Sequence, residues 1–377
     1  MKEEQLKIVT VVGTRPEIIR LSRTMSLLDE YTNQVIVHTG QNYDYELNEV
    51  FWKDLELRKP DYFLEINAST LGNAVGDIIR KTEEVLKKEQ PDALLVLGDT
   101  NSCLSAYIAK RMHIPIFHME AGNRSFDLNV PEEVNRKIID HIADFNLVYT
   151  EHARRHLISE GLPHRRIYLT GSPMKEVLNY YLPKIEKSEI LEKLKLEKNK
   201  YFLVSAHREE NVDNPANLEQ ILSVLQRLEE KYKFPIIVST HPRTRKMIER
   251  LDKINIHKNI HFLKPFGFFD YIFLQQNAYC TLSDSGTISE ESSILNFPAI
   301  SLRESMERPE AQDTGSIILS GFDANVILNS ITLATKEKGN NKFKSIPQDY
   351  NINDTSWRVL KLIMGNTKLS NKWWGIK

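Results

Sequence analysis

The chain has 377 residues, a net charge of -1, 27% charged residues and 41% hydrophobic residues, a length that predicts two domains of about 100–200 residues each. The near-zero net charge argues against a disordered chain and against a nucleic-acid partner. Both cysteines lie in apolar runs, and no run reaches the roughly 20 apolar residues of a membrane span, so we expect a cytoplasmic protein with free thiols and no membrane partner.

In the first half of the chain, short β-branched runs alternate with helical patterns. The runs are 7–13, 35–40, 93–99, 114–120, 145–150 and 166–171. This alternation predicts βαβ units on a parallel sheet, because consecutive parallel strands need a crossover helix.

The same alternation starts again in the second half. Its β-branched runs are 201–207, 235–240, 260–263, 278–284 and 298–302. The Lys- and Glu-rich segment 184–200 between the two series predicts a solvated connector, so we place the domain boundary at 184. After residue 352 we predict a helix at 356–364, followed by a partly ordered tail at 366–377.

Polar side chains follow many of the predicted strands. They are Arg15, Asp99, Glu120, His207, His241, and Asp284 with Ser285. Ligands of open α/β sheets bind beyond the carboxyl ends of the strands, so these positions predict one interdomain cleft that holds a nucleotide-linked sugar. For Asp99 a plain helix N-cap is an equally acceptable interpretation.

The segment 118–141 concentrates acids, arginines and histidines around a turn before a helix that begins at Pro131. On that helix Glu132 and Arg136 are four residues apart, which by itself indicates only a stabilising ion pair. Beside Glu120, however, several carboxylates would converge. Their mutual repulsion raises at least one pKa and favours general acid/base chemistry.

A second candidate site is the turn Ser285-Gly286-Thr287, which precedes a predicted helix carrying Glu290 and Glu291. Free N–H groups at a helix start bind phosphate oxygens, although the same pattern also makes an ordinary N-cap. The glutamates could accept hydrogen bonds from ribose hydroxyls. Three arginines could bind a diphosphate through fork-like hydrogen bonds: Arg15, Arg20 and Arg308.

Several site classes have no matching motif in the sequence. There is no G-x-G-x-x-G, no G-x-x-x-x-G-K-[ST], no H-E-x-x-H or Cys/His cluster, and no G-x-S-x-G. We therefore expect a site with no metal and no resident cofactor, occupied by a nucleotide-linked sugar as substrate.

Seven motifs in order resemble the non-hydrolysing UDP-N-acetylglucosamine 2-epimerase family. They are GTRPEIIR (13–20), LGDTNS (97–102), HMEAGNRSFD (118–127), PEEVNR (131–136), AHREEN (206–211), SDSGTISEES (283–292) and ERPEA (307–311). The resemblance implies two Rossmann-like doubly wound domains in the GT-B arrangement with an interdomain cleft, UDP bound by the second domain, and a homodimer. It also implies that a C-terminal helix, 353–377, packs back onto domain 1–183, which leaves 184–352 as the second domain.

The resemblance assigns roles to individual positions of this chain. The catalytic set is Asp99, Glu120, Glu132, Arg136 and His207. The UDP-binding set is Arg15, Ser285, Gly286, Glu291 and Arg308, to which the charge and turn arguments add Arg20 and Thr287. A possible second UDP-sugar site, used for activation in bacterial relatives, matches Gln41, Arg208 and His241, but residues 42–44 depart from its pattern.

The substrate is predicted from finer differences. Arg20 replaces the usual Lys, and Thr287 replaces a Gly, as in the branch that converts UDP-2-acetamido-2,6-dideoxy-L-talose to UDP-N-acetyl-L-fucosamine for capsule or O-antigen synthesis; Ser125 stands where that branch usually has Cys. The C2 hydrogen is not acidic, so we expect UDP elimination to a glycal and re-addition. Alternatives are a UDP-GlcNAc/UDP-ManNAc 2-epimerase, a hydrolysing epimerase, a GT-B glycosyltransferase and a non-catalytic UDP-sugar sensor.

Overall fold

The computed structural model describes residues 5–40, 51–206, 215–240, 257–340 and 346–376. The chain divides into two compact units, unit 1 with residues 1–179 and 348–377, and unit 2 with residues 180–347. The sequence placed these divisions at 183/184 and 352/353. In the described part of the chain, no helix is both long enough and apolar enough to cross a membrane.

Unit 1 contains a seven-stranded sheet in which every pairing is parallel. In chain order its strands are β1 Lys7–Val12, β2 Asn33–His38, β3 Tyr62–Phe63, β4 Ala93–Leu97, β5 Ile116–Ala121, β6 Phe145–Val148 and β7 Ile167–Leu169. Their spatial order is β3-β2-β1-β4-β5-β6-β7. The order reverses between β1 and β4, so the ends of these two strands mark the topological switch point where ligands bind in such sheets.

The helices associated with unit 1 connect these strands or follow the last one. They are α1 Arg15–Tyr31, α2 Leu71–Glu89, α3 Ser105–Arg111, α4 Pro131–Ile142, α5 Glu151–Ser159 and α6 Met174–Ile185, the last of which contains the boundary between the units. A core of apolar residues from β1, β2, β4 and α2 to α4 fills the space between sheet and helices. Continuous Val, Ile and Leu runs form these strands because both faces of the sheet are covered.

Unit 2 has a six-stranded sheet of the same type. Its strands are β8 Phe202–Ser205, β9 Ile236–Ser239, β10 Ile260–Leu263, β11 Cys280–Ser283, β12 Ala299–Ser301 and β13 Ile318–Leu319, in the order β10-β9-β8-β11-β12-β13. Its helices are α7 Ile190–Leu194, α8 Pro215–Tyr232, α9 Phe268–Asn277, α10 Ile288–Leu295, α11 Glu310–Asp313 and α12 Ala324–Asn340. The predicted fold class, two doubly wound parallel α/β sheets, is confirmed.

The end of the chain differs from the sequence prediction. A single helix, α13, runs from Thr355 to Trp374, so the prediction of a partly ordered tail from 366 onward was wrong. The last turn docks on unit 1: the Arg166 guanidinium lies 3.8 Å from the centroid of the Trp374 ring, and Trp374 Nε1 donates to Asp144 at 2.5 Å. These contacts extend a helix that its own polar sequence would not sustain.

The Trp374 contact gives a stability prediction. Replacing Trp374 by Ala removes a cation–π contact and a charge-assisted hydrogen bond and should destabilise unit 1 by about 1–3 kcal/mol. Trp374→Phe keeps a ring but no donor and should fall in between. The matched control on the same helix is Leu369→Ala, a 39% exposed position that should change stability by less than about 0.5 kcal/mol. Equal urea midpoints for Trp374→Ala and Leu369→Ala would contradict the docking role.

Candidate active site

Three strands of unit 1 end together where the predicted acids lie. In the parallel sheet β4 is paired with both β1 and β5, and Leu97 is opposite Met119. Asp99 comes two residues after the end of β4, and Glu120 is the penultimate residue of β5. The structure therefore places the two acids at one edge of the sheet, on adjacent strands beside the switch point.

Glu120 has an unusual backbone conformation. Its φ is +64°, in the left-handed region, and the register of β5 against β6 shifts between Met119 and Ala121. A bulge of this kind re-aims a side chain, and a non-glycine residue in it costs on the order of 1–3 kcal/mol. The carboxylate forms a buried ion pair with Arg20 of α1 and accepts a longer hydrogen bond from Asn123 Nδ2 at 3.4 Å.

Arg20 was predicted to contact a diphosphate. Its guanidinium is 6% exposed and faces the Glu120 carboxylate. An arginine at this place favours the ionised form of Glu120 and fixes its orientation. The contact is compatible with a further anionic ligand, because a guanidinium has five donors.

Asp99 is held by a second arginine. Arg136 Nε donates to Asp99 Oδ2 at 2.6 Å, while Arg136 Nη1 lies 3.1 Å from Glu133 Oε2. The Asp99 side chain is 20% exposed, so it remains accessible to a ligand. Asn135 Nδ2 donates to the Asp99 carbonyl oxygen at 2.9 Å, which fixes the backbone as well. The arrangement provides an oriented carboxylate at the sheet edge.

The predicted catalytic residue Glu132 and its neighbour Glu133 point to different environments. Glu132 is exposed, whereas Glu133 is fully buried and accepts hydrogen bonds from the backbone N–H and hydroxyl of Ser125 at 2.9 and 3.0 Å. Burial opposes ionisation of Glu133, but the Ser125 and Arg136 contacts outweigh it and keep its pKa below the usual range. Sequence reasoning missed Glu133. Its spacing from Arg136 (i+3) and Asp140 (i+7) puts the three side chains on one face of the helix, and the apolar spacing did not mark that face as buried.

Glu17 is a second buried carboxyl that sequence reasoning missed. It is 2% exposed and accepts hydrogen bonds from the Gly13 backbone N–H at 2.6 Å, from Ser102 Oγ at 3.1 Å, and from Thr100. It therefore ties the turn after β1 to the turn after β4. These two turns carry Arg15 and Asp99, so Glu17 fixes the spacing of two predicted site residues.

The buried Glu17 gives a pH-dependent prediction. Burial raises its pKa from 4.5, and the hydrogen bonds from Thr100 and Gly13 only partly offset this. Because the pKa of Glu17 is higher in the folded state, its protonated carboxyl makes its full contribution to the free energy of unfolding below pH 4.5. That contribution is lost as the pH rises through the folded-state pKa. Glu17→Gln, which is neutral at every pH, should gain stability relative to the wild type as the pH rises above 4.5.

The measurement for Glu17 is urea unfolding of both proteins at a series of pH values from 4.5 upward, with Glu84→Gln as the control, since Glu84 is 66% exposed on α2. The difference in unfolding free energy should grow with pH for Glu17→Gln and stay flat for Glu84→Gln. A difference that shrinks with rising pH would show that Glu17 is stabilised as a carboxylate.

Arg15, another predicted UDP-binding residue, begins α1, and its guanidinium lies 5.8 Å from the centroid of the Phe51 ring. The predictions for His207 and for the possible second site, Gln41, Arg208 and His241, fall outside the described residues.

In unit 2 the predicted anion-binding turn, residues 285–287, connects β11 to α10. Ser285 Oγ and Thr287 Oγ1 are 2.9 Å apart, and the Thr287 backbone N–H donates to Ser285 Oγ at 3.3 Å. A Cβ at Gly286 would lie 3.6 Å from Arg303 Nη1 and from Glu307 Oε2. The turn thus has hydroxyls and N–H groups at a helix start, with arginine beside it, which suits a phosphate.

Two glutamates of α10 are held by side chains from other elements. Glu290 is fully buried and forms an ion pair with Arg308, while Glu291 Oε2 accepts from Gln275 Nε2 at 2.7 Å. The sequence had both glutamates available to a ribose. The structure buries Glu290 in its ion pair and leaves Glu291, 7% exposed, as the candidate for that contact. Sequence reasoning did not identify the supporting residue Gln275.

A second buried ion pair lies beside the anion-binding turn. Arg303 Nη2 is 2.6 Å from Glu307 Oε1, and both side chains are less than 10% exposed. Arg303 follows β12 and was not among the predicted site residues. Its position after a strand, two residues beyond Ser301, was the available signal.

Comparisons with known proteins match both units. A family profile described as UDP-N-acetylglucosamine 2-epimerase matches residues 27–364. The structure of UDP-N-acetylglucosamine 2-epimerase from Rickettsia bellii has a TM-score of 0.92 and 51% identity and covers 98% of this chain and 100% of that chain.

Two archaeal proteins are also similar. The UDP-GlcNAc 2-epimerase of Methanocaldococcus jannaschii, whose crystal structure is in complex with UDP-GlcNAc and UDP, has a TM-score of 0.87 and 34% identity, and covers 95% of this chain and 99% of that one. The UDP-N-acetylglucosamine 2-epimerase of Methanococcus maripaludis is 39% identical over 348 residues, which is 89% of this chain and 94% of the relative. The similarity therefore extends over nearly the whole length of each protein.

Proposed function

Because the chain belongs to the UDP-N-acetylglucosamine 2-epimerase family, we propose that it inverts C2 of a UDP-linked N-acetylhexosamine by eliminating and re-adding UDP. The observation that carries the reaction type is the pair of carboxylates, Asp99 and Glu120, each held by its own arginine at adjacent strand ends. Two oriented acids are what a reaction needs when a proton leaves one face of a sugar and returns to the other.

Elimination solves a chemical problem at C2. The C2 hydrogen is not acidic, but loss of UDP from C1 develops positive charge there that weakens the C2–H bond. A carboxylate takes the C2 proton, the C1–O bond to UDP breaks with its electron pair, and a glycal remains. In the reverse direction UDP returns to C1 and an acid delivers a proton to C2 from the opposite face, so the atoms balance and no redox step occurs.

We assign the proton transfers to Glu120 and Asp99, with Arg20 and Arg136 orienting them. Each arginine orients its carboxylate through a charge-assisted hydrogen bond. Nearby carboxylates also stabilise oxocarbenium-like charge at C1, as in glycosidases. The predicted contributions of Glu132 and His207 remain part of this proposal.

We assign the leaving group to unit 2. The anion-binding turn (285–287) and Arg308 would hold the diphosphate, Arg15 would add charge, and Glu291 would accept from the ribose hydroxyls. Charge on the departing diphosphate increases as the C1–O bond breaks, so donors placed there stabilise the transition state more than the ground state.

For the sugar, we propose UDP-2-acetamido-2,6-dideoxy-L-talose as substrate and UDP-N-acetyl-L-fucosamine as product, on the support of Arg20 and Thr287. The names of the similar proteins favour UDP-GlcNAc instead. The C2 chemistry is the same for both sugars. We further propose a homodimer and a role in capsule or O-antigen synthesis.

The test is to incubate the purified protein with UDP-N-acetyl-L-fucosamine and, separately, with UDP-GlcNAc, without an acceptor, and to follow both by NMR. The C2 epimer should appear from UDP-N-acetyl-L-fucosamine faster than from UDP-GlcNAc. The reverse preference would reject the proposed sugar and keep the reaction. Free UDP with free sugar would indicate a hydrolysing enzyme, and binding without any product from either sugar would indicate a sensor or a transferase.

A further inference from the structure

A network of buried charged side chains contacts the segment that carries Glu120. We call residues 120–126 the acid loop. Three of its residues have positive φ: Glu120 at +64°, Gly122 at +81° and Phe126 at +56°. Left-handed conformations at non-glycine positions persist only where surrounding contacts impose them. The contacts that impose them on the acid loop are therefore part of what aims Glu120.

The first set of contacts comes from α4. Asp140, which is fully buried, accepts from the Gly122 backbone N–H at 3.1 Å and from Arg124 Nη1 at 2.7 Å. His118 Nδ1 also lies 2.9 Å from Asp140 Oδ1. Glu133, on the same helix, holds the Ser125 backbone N–H. Two carboxylates of α4 thus contact the acid loop at Gly122, Arg124 and Ser125.

The second set comes from α5. Glu160, the residue after its last turn, receives a bidentate pair of hydrogen bonds from Arg124, with Nε to Oε1 at 2.8 Å and Nη2 to Oε2 at 2.7 Å. His156 Nδ1 lies 2.9 Å from the Gly122 carbonyl oxygen. Arg124 also donates from Nη1 to the Asn123 carbonyl oxygen at 2.7 Å.

Arg124 takes part in both sets of contacts. Its side chain is fully buried, and its guanidinium joins α4, α5 and the backbone of the acid loop through Asp140, Glu160 and Asn123. Asn123 in turn contacts the Glu120 carboxylate at 3.4 Å. We propose that the Asp140–Arg124–Glu160 bridge is a positioning device that holds Glu120 in its left-handed conformation, aimed at the reacting sugar; this rests on the proposed function.

We propose no contact between the substrate and the three bridge residues. The Arg124 side chain is fully buried, and its guanidinium is paired with Asp140 and Glu160. A planar guanidinium makes four of the bridge contacts from fixed directions, whereas an ammonium cannot reproduce the fork. Arg124→Lys preserves the charge and removes the geometry, so it separates positioning from electrostatics.

The kinetic test measures epimerisation by Arg124→Lys and Glu160→Ala. For both we expect kcat to fall about tenfold to a hundredfold, since misplacing a catalytic group by about 1 Å costs up to a hundredfold. The KM and the dissociation constant for UDP should be unchanged, and Glu160→Gln should lie between Glu160→Ala and the wild type. The matched control is Arg154→Lys, which alters a surface ion pair with Glu151 on the same helix and should leave kcat unchanged.

Wild-type kcat in folded Arg124→Lys, or in folded Glu160→Ala if Arg124→Lys does not fold, would overturn the inference. So would a loss of activity explained fully by a smaller folded fraction. The wild type in the same assay reports separately on the proposed reaction. A crystal structure of either variant gives a result independent of activity: Glu120 should leave its left-handed conformation, and retention of that conformation would reject the positioning role.

Discussion

Glu120→Gln is expected to lower the turnover number by about a hundredfold to ten-thousandfold, the range that one general acid or base contributes. The change keeps the shape of the side chain and an oxygen that can accept from Arg20, but it removes the group that exchanges the proton. The affinity for UDP should be unaffected, because Glu120 is not among the proposed nucleotide contacts. Turnover by NMR and UDP binding by calorimetry provide the two readouts.

Two companion variants sharpen the Glu120 experiment. Asp99→Asn should show the same pattern, since Asp99 is the second carboxylate to which we assign a proton transfer. Glu151→Gln, a surface acid paired with Arg154 on α5, should leave turnover unchanged. Near wild-type turnover in folded Glu120→Gln would remove Glu120 from the proton transfers, and lost UDP binding would show that its role is structural.

Arg308→Met is expected to destabilise unit 2 strongly. Glu290 is completely buried against Arg308, and removing one member of a buried ion pair leaves an uncompensated charge that costs roughly 3–5 kcal/mol. The melting temperature should fall by about 10 °C. Replacing both residues, Glu290→Met with Arg308→Met, should recover much of the loss, because an apolar pair leaves no buried charge.

UDP affinity separates the two roles proposed for Arg308. Both variants that lack Arg308 should bind UDP about tenfold to a hundredfold more weakly, since each loses a charge-assisted hydrogen bond, and the recovery of stability in the double variant should not restore binding. The control Arg80→Met, at a 58% exposed ion pair on α2, should change neither property. A double variant as unstable as Arg308→Met would contradict the ion-pair explanation.

The sheets were predictable because their signal is local. Each buried parallel strand is a run of β-branched residues, and the helix after it has its own periodicity, so strand ends such as Asp99 could be located from the sequence. The family motifs then added roles that strand ends alone did not give. The end of α13 was not predictable in this way. Residues 366–372 are mostly polar, and the helix continues through them because Trp374 docks on Arg166 and Asp144, residues distant in sequence.

The chemistry of the site was predictable in its residue types but not in its pairings. The sequence put Arg20 with the diphosphate and left both Glu290 and Glu291 open to ribose. The structure pairs Arg20 with Glu120 and buries Glu290 against Arg308. An ion pair between residues a hundred positions apart leaves no mark in the sequence, since either partner alone resembles a surface charge.

The buried ion pairs that hold the acid loop were also not predictable from the sequence. Arginine and carboxylate side chains are normally exposed, so nothing in the segment 118–141 indicated that Arg124 and Asp140 are fully buried. The left-handed φ of Glu120 is likewise imposed by tertiary contacts, and only glycine marks such positions in a sequence.

The central claim is that C2 loses its hydrogen while UDP departs and returns. The direct measurement is NMR of the UDP-sugar incubated with the wild-type protein in heavy water, without an acceptor. We predict one deuterium at C2 in both epimers, with the UDP linkage intact at equilibrium. Interconversion of the epimers with hydrogen retained at C2 would contradict the elimination mechanism, and the absence of both exchange and interconversion would contradict the proposed reaction.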